Sequence, residues 1–204
     1  MSRARDNADL GDSYGSLGAG VTGGSGLNAL GTVTAGNLSN SAIIYPAGHV
    51  IGSSFSNSAT EYTLPASFPN TQQGLSVHHT CMGSGSLFLV IVSMQTLLQQ
   101  TADSQTGAIF SKIMAHEVAS ENVATAVSLS GNFRTMRNWH TTTVNPQIGT
   151  QASMVWRGTV GSINDDAGDV IDFWIQSYRS GANATGWMSG SGIGNTITVL
   201  EIKT

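Results

Sequence analysis

Charge is scarce in this sequence. Lys, Arg, Asp and Glu together make up 10% of the 204 residues, against about 25% in an ordinary soluble domain. The basic residues are scattered, Arg3 and Arg5 being the one close pair, and the formal net charge is -4. Without a basic stripe to track a phosphate backbone, nucleic acid is not an expected partner. The single cysteine, Cys81, excludes an intrachain disulfide and any multi-cysteine metal site. Its place beside an apolar run suits a small buried hydrophobe, and folding without disulfides is compatible with assembly in a reducing cytoplasm. That run, LFLVIV at 87–92, is too short to cross a bilayer as a helix. MSRARDNADL is followed by no apolar h-region or cleavage site, so no secretory signal and no membrane insertion are expected. There is no GxSxG, and the Gly-rich N-terminus lacks the Lys-Ser/Thr of a P-loop. His116-Glu117 lacks the second histidine of a zincin.

Ser, Thr, Asn and Gln stand where the charges are missing, and glycine is high at 25 residues. This composition describes a rigid β structure with a polar but neutral surface. It fits a virion component or an adhesin better than an enzyme with a polyionic substrate, with a neutral all-β enzyme domain as the alternative. Residues 1–41 stand apart, dense in Gly, Ser, Ala and Asn with isolated Leu and Val. Gly-rich chain is entropically costly to order, and sparse apolar residues cannot offset that cost within one monomer. Such a segment is either disordered or ordered by partners. Leu27, Leu30, Val33 and Leu38 recur at short intervals between small residues, a spacing that would let three copies bury them around an axis.

From Ile43 onward the sequence turns to strand and turn chemistry. SLFLVIVSMQ at 86–95, DVIDFWIQSY at 169–178 and TITVLEIK at 196–203 read as firm strands. AIFSKIMAHEV at 108–118 places Phe110 and Met114 on one face and Ile109 and Ile113 on the other. SMVWRGTVG at 153–161 alternates cleanly, and VATAVSLS at 123–130 alternates well although 116–129 could also be written as a helix. EYTLPASFPN holds two prolines within five residues, which excludes a central strand there. Many short strands, turn signals and no convincing helix give an all-β sandwich or jelly roll over 42–204.

The last strand is apolar on both faces, Ile197 and Val199 on one and Leu200 and Ile202 on the other. Strands of that kind are covered on both sides. An inner strand with core on one side and a neighbouring subunit on the other is therefore expected. In the strand at 169–178, Ile171, Phe173 and Ile175 form a core face, and Trp174 and Tyr178 oppose it as a second contact surface. These features point to a closed, three-fold homo-oligomer.

Three stretches together resemble the fibre proteins of tailed bacteriophages, especially of marine and cyanobacterial phages: SRARDNADLG at the start, LGTVTAGNLS with YPAGHVI at the domain entrance, and TITVLEIK at the end. The resemblance implies a virion-docking segment (Ser2, Arg3, Ala4, Arg5, Asp6 and on to Leu10), a short stalk, and a trimeric jelly-roll knob like those of tumour necrosis factor and C1q. It implies a structural, non-enzymatic virion protein, assembled in the host cytoplasm. The expected partners are two sister copies, other virion proteins through the N-terminus, and a host-surface glycan or protein. The family's fibres are often longer than this chain, which leaves a capsid decoration trimer or head fibre as an alternative and a glycan depolymerase as a lesser one.

Loops carry binding, and aromatic and planar side chains anchor interfaces. The candidates to touch a receptor are therefore Arg137, Trp139 and His140 in one turn-rich segment and Trp187 with Met188 in another. For a metal, HHTC places His79 and Cys81 on one strand face and His78 on the other, short of the three or four ligands zinc requires. Asp165, Asp166, Asp169 and Asp172 lack the bidentate Glu of an EF-hand. Neither a metal nor another cofactor is expected, and no catalytic residue is assigned.

Overall fold

The structure is a computed structural model and describes residues 46–69, 73–100, 106–118, 126–139, 147–181, 183–189 and 194–204. All of these belong to one compact unit, Tyr45–Thr204. The eleven strands are β1 (Val50–Ser58), β2 (Tyr62–Thr63), β3 (Gln73–Thr80), β4 (Leu87–Gln100), β5 (Thr106–Glu117), β6 (Val127–Ser128), β7 (Phe133–Trp139), β8 (Gln147–Gly158), β9 (Val170–Ser180), β10 (Ala184–Ser189) and β11 (Asn195–Ile202). Among the described residues there is no α-helix.

Both sheets are antiparallel. In sheet A, β4 takes β8 along one edge; along the other it takes β11 opposite 87–93 and β10 opposite 95–100. β10 and β11 thus act as one long interrupted strand, and β1 and β2 continue along its far side. In sheet B, β9 joins β3 to β5, and β6 and β7 lie end to end on the other edge of β5. Counting each interrupted strand once leaves eight columns, ordered 1-8-3-6 in sheet A and 2-7-4-5 in sheet B. Eight strands wound in this order through two sheets make a jelly-roll-like sandwich.

Period-two alternation builds the core. Phe88, Val90, Val92, Met94 and Leu98 of β4 are buried to 1% exposure or less. They meet Ile109 and Ile113 of β5 and Ile171, Phe173 and Ile175 of β9 from the facing sheet. Phe88 and Phe173 touch across the interior with ring centroids 5.5 Å apart. The closing strand lies between β1 and β4, the inner position expected for it, with Ile197 and Val199 fully buried. Burying each of these side chains contributes about 1.5–3 kcal/mol, enough to hold a terminal strand against fraying.

Two stretches expected as loops are strands. Phe133–Trp139 forms β7 because β5 offers it a free edge, and Ala184–Ser189 forms β10 because the far end of β4 supplies an edge for it to pair with. In the 123–130 segment, strand pairing among the described residues is limited to Val127 and Ser128. The N-terminal candidates Ser2 to Asp6, Leu10, Leu27, Leu30, Val33 and Leu38 lie outside the described residues.

Candidate functional site

The outward face of sheet A carries the first feature. Phe55, Thr198, Ile91 and Val155 stand in one cross-strand row, and Ser53, Leu200, Leu89 and Arg157 in the next. Ile202 and Leu87 extend the patch, with Val50 beside them. Phe55 is 62% exposed, Val155 58%, Val50 52% and Ile91 38%. Arg157 is the one charged residue in these rows. The flanking row is neutral and polar, formed by Asn57, Thr196, Ser93 and Ser153. A contiguous apolar face rimmed by neutral polar groups is the pattern of an interaction surface.

The outward face of sheet B is different. Its aromatic residues are covered by the chain itself: Phe68 packs edge-on against Tyr178 at 4.4 Å, and Tyr178 stacks on Phe110 at 5.2 Å. Lys112 sits 4.4 Å over the Phe68 ring, and the Gln176 amide donates to the Pro69 carbonyl. Trp174 has no exposed surface. It does face away from the core, as its parity requires, but it offers no surface to a neighbouring subunit. Tyr178 is half-buried under Phe68. The second contact surface expected at these two residues is therefore closed: the 64–69 segment folds back over Tyr178, and Trp174 is fully buried with the His116 ring edge-on to it at 6.4 Å.

Beyond this cover, a β-bulge shapes an open hollow. Ile109 pairs with Met136 but Phe110 pairs with Arg134, so Thr135 is one residue too many on β7. Thr135 turns inward, its hydroxyl donating to the Ile109 carbonyl at 3.3 Å, and Met136 is buried. Arg134 and Arg137 are three residues apart and would face opposite ways on a regular strand. Across the bulge they share the outer face, opposite Phe110 and Ala108. Re-aiming a side chain in this way is a common use of bulges. The two arginines, Phe110, Ala108, Gly107 and Ser180 enclose about 230 Å³. The Arg134 guanidinium carbon lies 5.7 Å from the Phe110 ring centroid.

A third cluster is internal. Glu201 shares the core-facing parity of Ile197 and Val199 and is fully buried. One of its oxygens accepts from His79 Nε2 (3.0 Å) and the Met82 amide (2.8 Å). The other accepts from the Gly83 amide (3.0 Å) and the Ser86 hydroxyl (2.8 Å). Burial pushes the Glu201 carboxyl up, but the hydrogen bonds from His79, Met82 and Ser86 outweigh it and hold it below the usual carboxylate range. A carboxylate only accepts, so His79 Nε2 carries a proton. In the neutral ring, Nδ1 is left to accept from Ser54, 3.0 Å away. Gly52 makes room for the pair, since a Cβ there would stand 3.0 Å from both Glu201 Oε2 and His79 Cε1. Ser54, His79 and Glu201 follow the order of nucleophile, base and orienting acid. The adjacent amides that could cradle an oxyanion donate to Glu201 instead, and His79 is 2% exposed. The arrangement clamps β11 to β3 and to the 82–86 turn.

On the opposite side of sheet B, His78, Asp172 and His116 form a cross-strand row. Asp172 is buried, neither oxygen accepts a hydrogen bond, and His78 Nε2 lies 3.6 Å from Oδ1. Burial raises the Asp172 carboxyl to about 6, with the nearby His78 pulling it back. Burial and His78 together lower His116. Among the described residues, no three His, Cys, Asp or Glu side chains are placed to share a metal ion.

Of the receptor candidates, Arg137 is exposed on β7 and lines the hollow. Trp139 ends the same strand opposite Thr106, and His140 lies outside the described residues. Trp187 and Met188 belong to β10 rather than a loop. Trp187 is half-buried on the outer face of sheet A beside Leu97 and Thr63. Met188 is 1% exposed in the core and so unavailable to a receptor, since neighbours on a strand face opposite ways. Leu200 and Ile202 lie within the apolar patch. Sequence reasoning missed Arg134 and Glu201. An acid at core parity in an apolar strand was a legible signal for the second, whereas the first depends on a bulge no local pattern announces.

No known family profile matches this sequence, and no curated protein does. Among solved structures, the chain is similar to the CBM22-1 xylan-binding domain of Paenibacillus barcinonensis Xyn10C, at 10% identity and a TM-score of 0.23, over 79% of this chain and 99% of that one. It is also similar to a chain from the infectious bursal disease virus Gt strain, at 9% identity and a TM-score of 0.26, over 83% of this chain and 40% of that one. At these scores neither neighbour bears on what this chain binds or assembles with.

Proposed function

We propose that this chain is a structural virion protein of a tailed bacteriophage, a spike- or fibre-type homotrimer. In this reading residues 1–41 dock on the particle, and the jelly-roll knob meets the host surface without chemical turnover. The apolar outer face of sheet A carries the reading. Left bare, its two apolar rows would face water. A charged partner would find one arginine to pair with, whereas a sister copy buries the apolar rows and matches their neutral rim. Three-fold closure leaves no unpaired patch from which filaments could grow. The resemblance of the first and last segments to phage fibres supports the setting.

Mass measurement of the native protein in solution tests it. Three copies are expected, and a stable monomer at working concentration refutes the proposal. Labelled antibody on intact particles then places the protein: tail labelling supports a fibre or spike, and head labelling supports a capsid decoration trimer instead.

A further inference from the structure

We infer that the bulge-built hollow on sheet B is a binding site for a carboxylate-bearing sugar residue. This deepens the recognition role proposed above and rests on it. Two guanidinium groups are brought to one face by the extra residue Thr135, beside an aromatic ring and a floor of small side chains. A guanidinium presents parallel donors that match a carboxylate in bidentate fashion. The Phe110 ring, stacked on Tyr178 and overlain by Arg134, offers an apolar edge to a sugar ring, and Ser180 adds a hydroxyl.

Charge distribution strengthens the assignment. Lys112 projects from the same face as Arg134 and Arg137, three cations in a chain of net charge -4. Among the described residues, no Asp or Glu lines the hollow. Its 230 Å³ is below the ~300–1,000 Å³ of sites for drug-sized ligands and suits one sugar ring. Two arginines facing a single hollow answer one carboxylate; a nucleic-acid groove would need a longer basic track.

The test uses the full chain and trigalacturonate as probe, with the neutral galactose trisaccharide as control, followed by calorimetry. Binding of the acidic probe alone is expected, weakening as salt is raised. Arg134→Gln should weaken it about tenfold or more, the usual loss with one charge-assisted hydrogen bond. Ser180→Trp, which fills the hollow from an exposed position and leaves both arginines, should abolish it. Melting curves for each variant establish that it is folded. Equal affinity for the neutral sugar, no binding of the acidic one, or unchanged binding in both folded variants overturns the inference. So does tighter binding of a phosphorylated peptide at the same variant-sensitive site. Native mass from the same sample keeps the two readings apart: a monomer that binds defeats the trimer alone, and a trimer that does not bind defeats the site alone.

Discussion

Asp172 gives the sharpest quantitative expectation. Its carboxyl is buried on β9 with no hydrogen bond to either oxygen, and it loses its proton near 6 in the folded chain, against an ordinary value of 3.8. Below the ordinary value it is protonated in both states, and stability is unaffected. Between the two values the folded protein binds more protons than the unfolded chain, so stability falls as pH rises. Above about 6 the full penalty applies, worth ~3 kcal/mol at ~1.4 kcal/mol per pH unit. Asp172→Asn keeps the shape and cannot ionise. It should match the wild type in acid and exceed it by up to ~3 kcal/mol at neutral pH, or ~6–12 °C in Tm for a domain of this size. Urea unfolding of both proteins across about pH 4 to 8 measures the difference. His116, lowered by burial and by His78, acts with the opposite sign, costing stability as pH falls below its ordinary value. It stands beside Asp172 in the same cross-strand row, and neighbours do not add independently, so the full difference is read at the alkaline end, above the ordinary imidazole value. Parallel pH profiles would refute the argument, since the carboxyl would then ionise alike in the folded and unfolded chain.

Other perturbations probe other parts of the molecule. Glu201→Gln sets its amide NH2 against one of the two donor pairs, His79 with Met82 or Gly83 with Ser86, and should destabilise by ~3–5 kcal/mol, the cost of breaking a buried pair, read by urea unfolding. Since the Glu201 carboxyl is held below its ordinary value, the wild type should lose this contribution only as acid carries it through that lowered pKa, giving an acid-unfolding limb absent from the variant. Phe55→Asp with Val155→Asp should shift the native mass to that of a single chain and lower Tm by the stability that association contributes, while the isolated chain still unfolds cooperatively; an unchanged three-copy mass contradicts the sheet A interface. Cys81 is 1% exposed, and burial and the Glu201 charge push its thiol up to about 12. It should resist alkylation in the native protein and react on unfolding; rapid native labelling would contradict its place in the core.

Some of this molecule could be read directly from the order of its residues. The doubly apolar closing strand, the β4 run and the Ile171–Phe173–Ile175 face are local alternations, and alternation is imposed by the pleat itself. Opposite faces for His78 and His79 follow from the same geometry. The sequence also excluded an intrachain disulfide by holding one cysteine. Tertiary structure decided the rest, because burial is set by what lies across the sheet. Trp174 and Tyr178 point outward as their parity demands, yet Trp174 is fully buried and the 64–69 segment covers Tyr178. Ala184–Ser189 resembles a loop until β4 supplies an edge for it to pair with. Glu201 becomes an anchor only when His79 and Ser86, more than a hundred residues away in the chain, converge on it. Arg134 and Arg137 share a face through one unmatched residue, and a register slip is a property of two strands together, invisible in either alone.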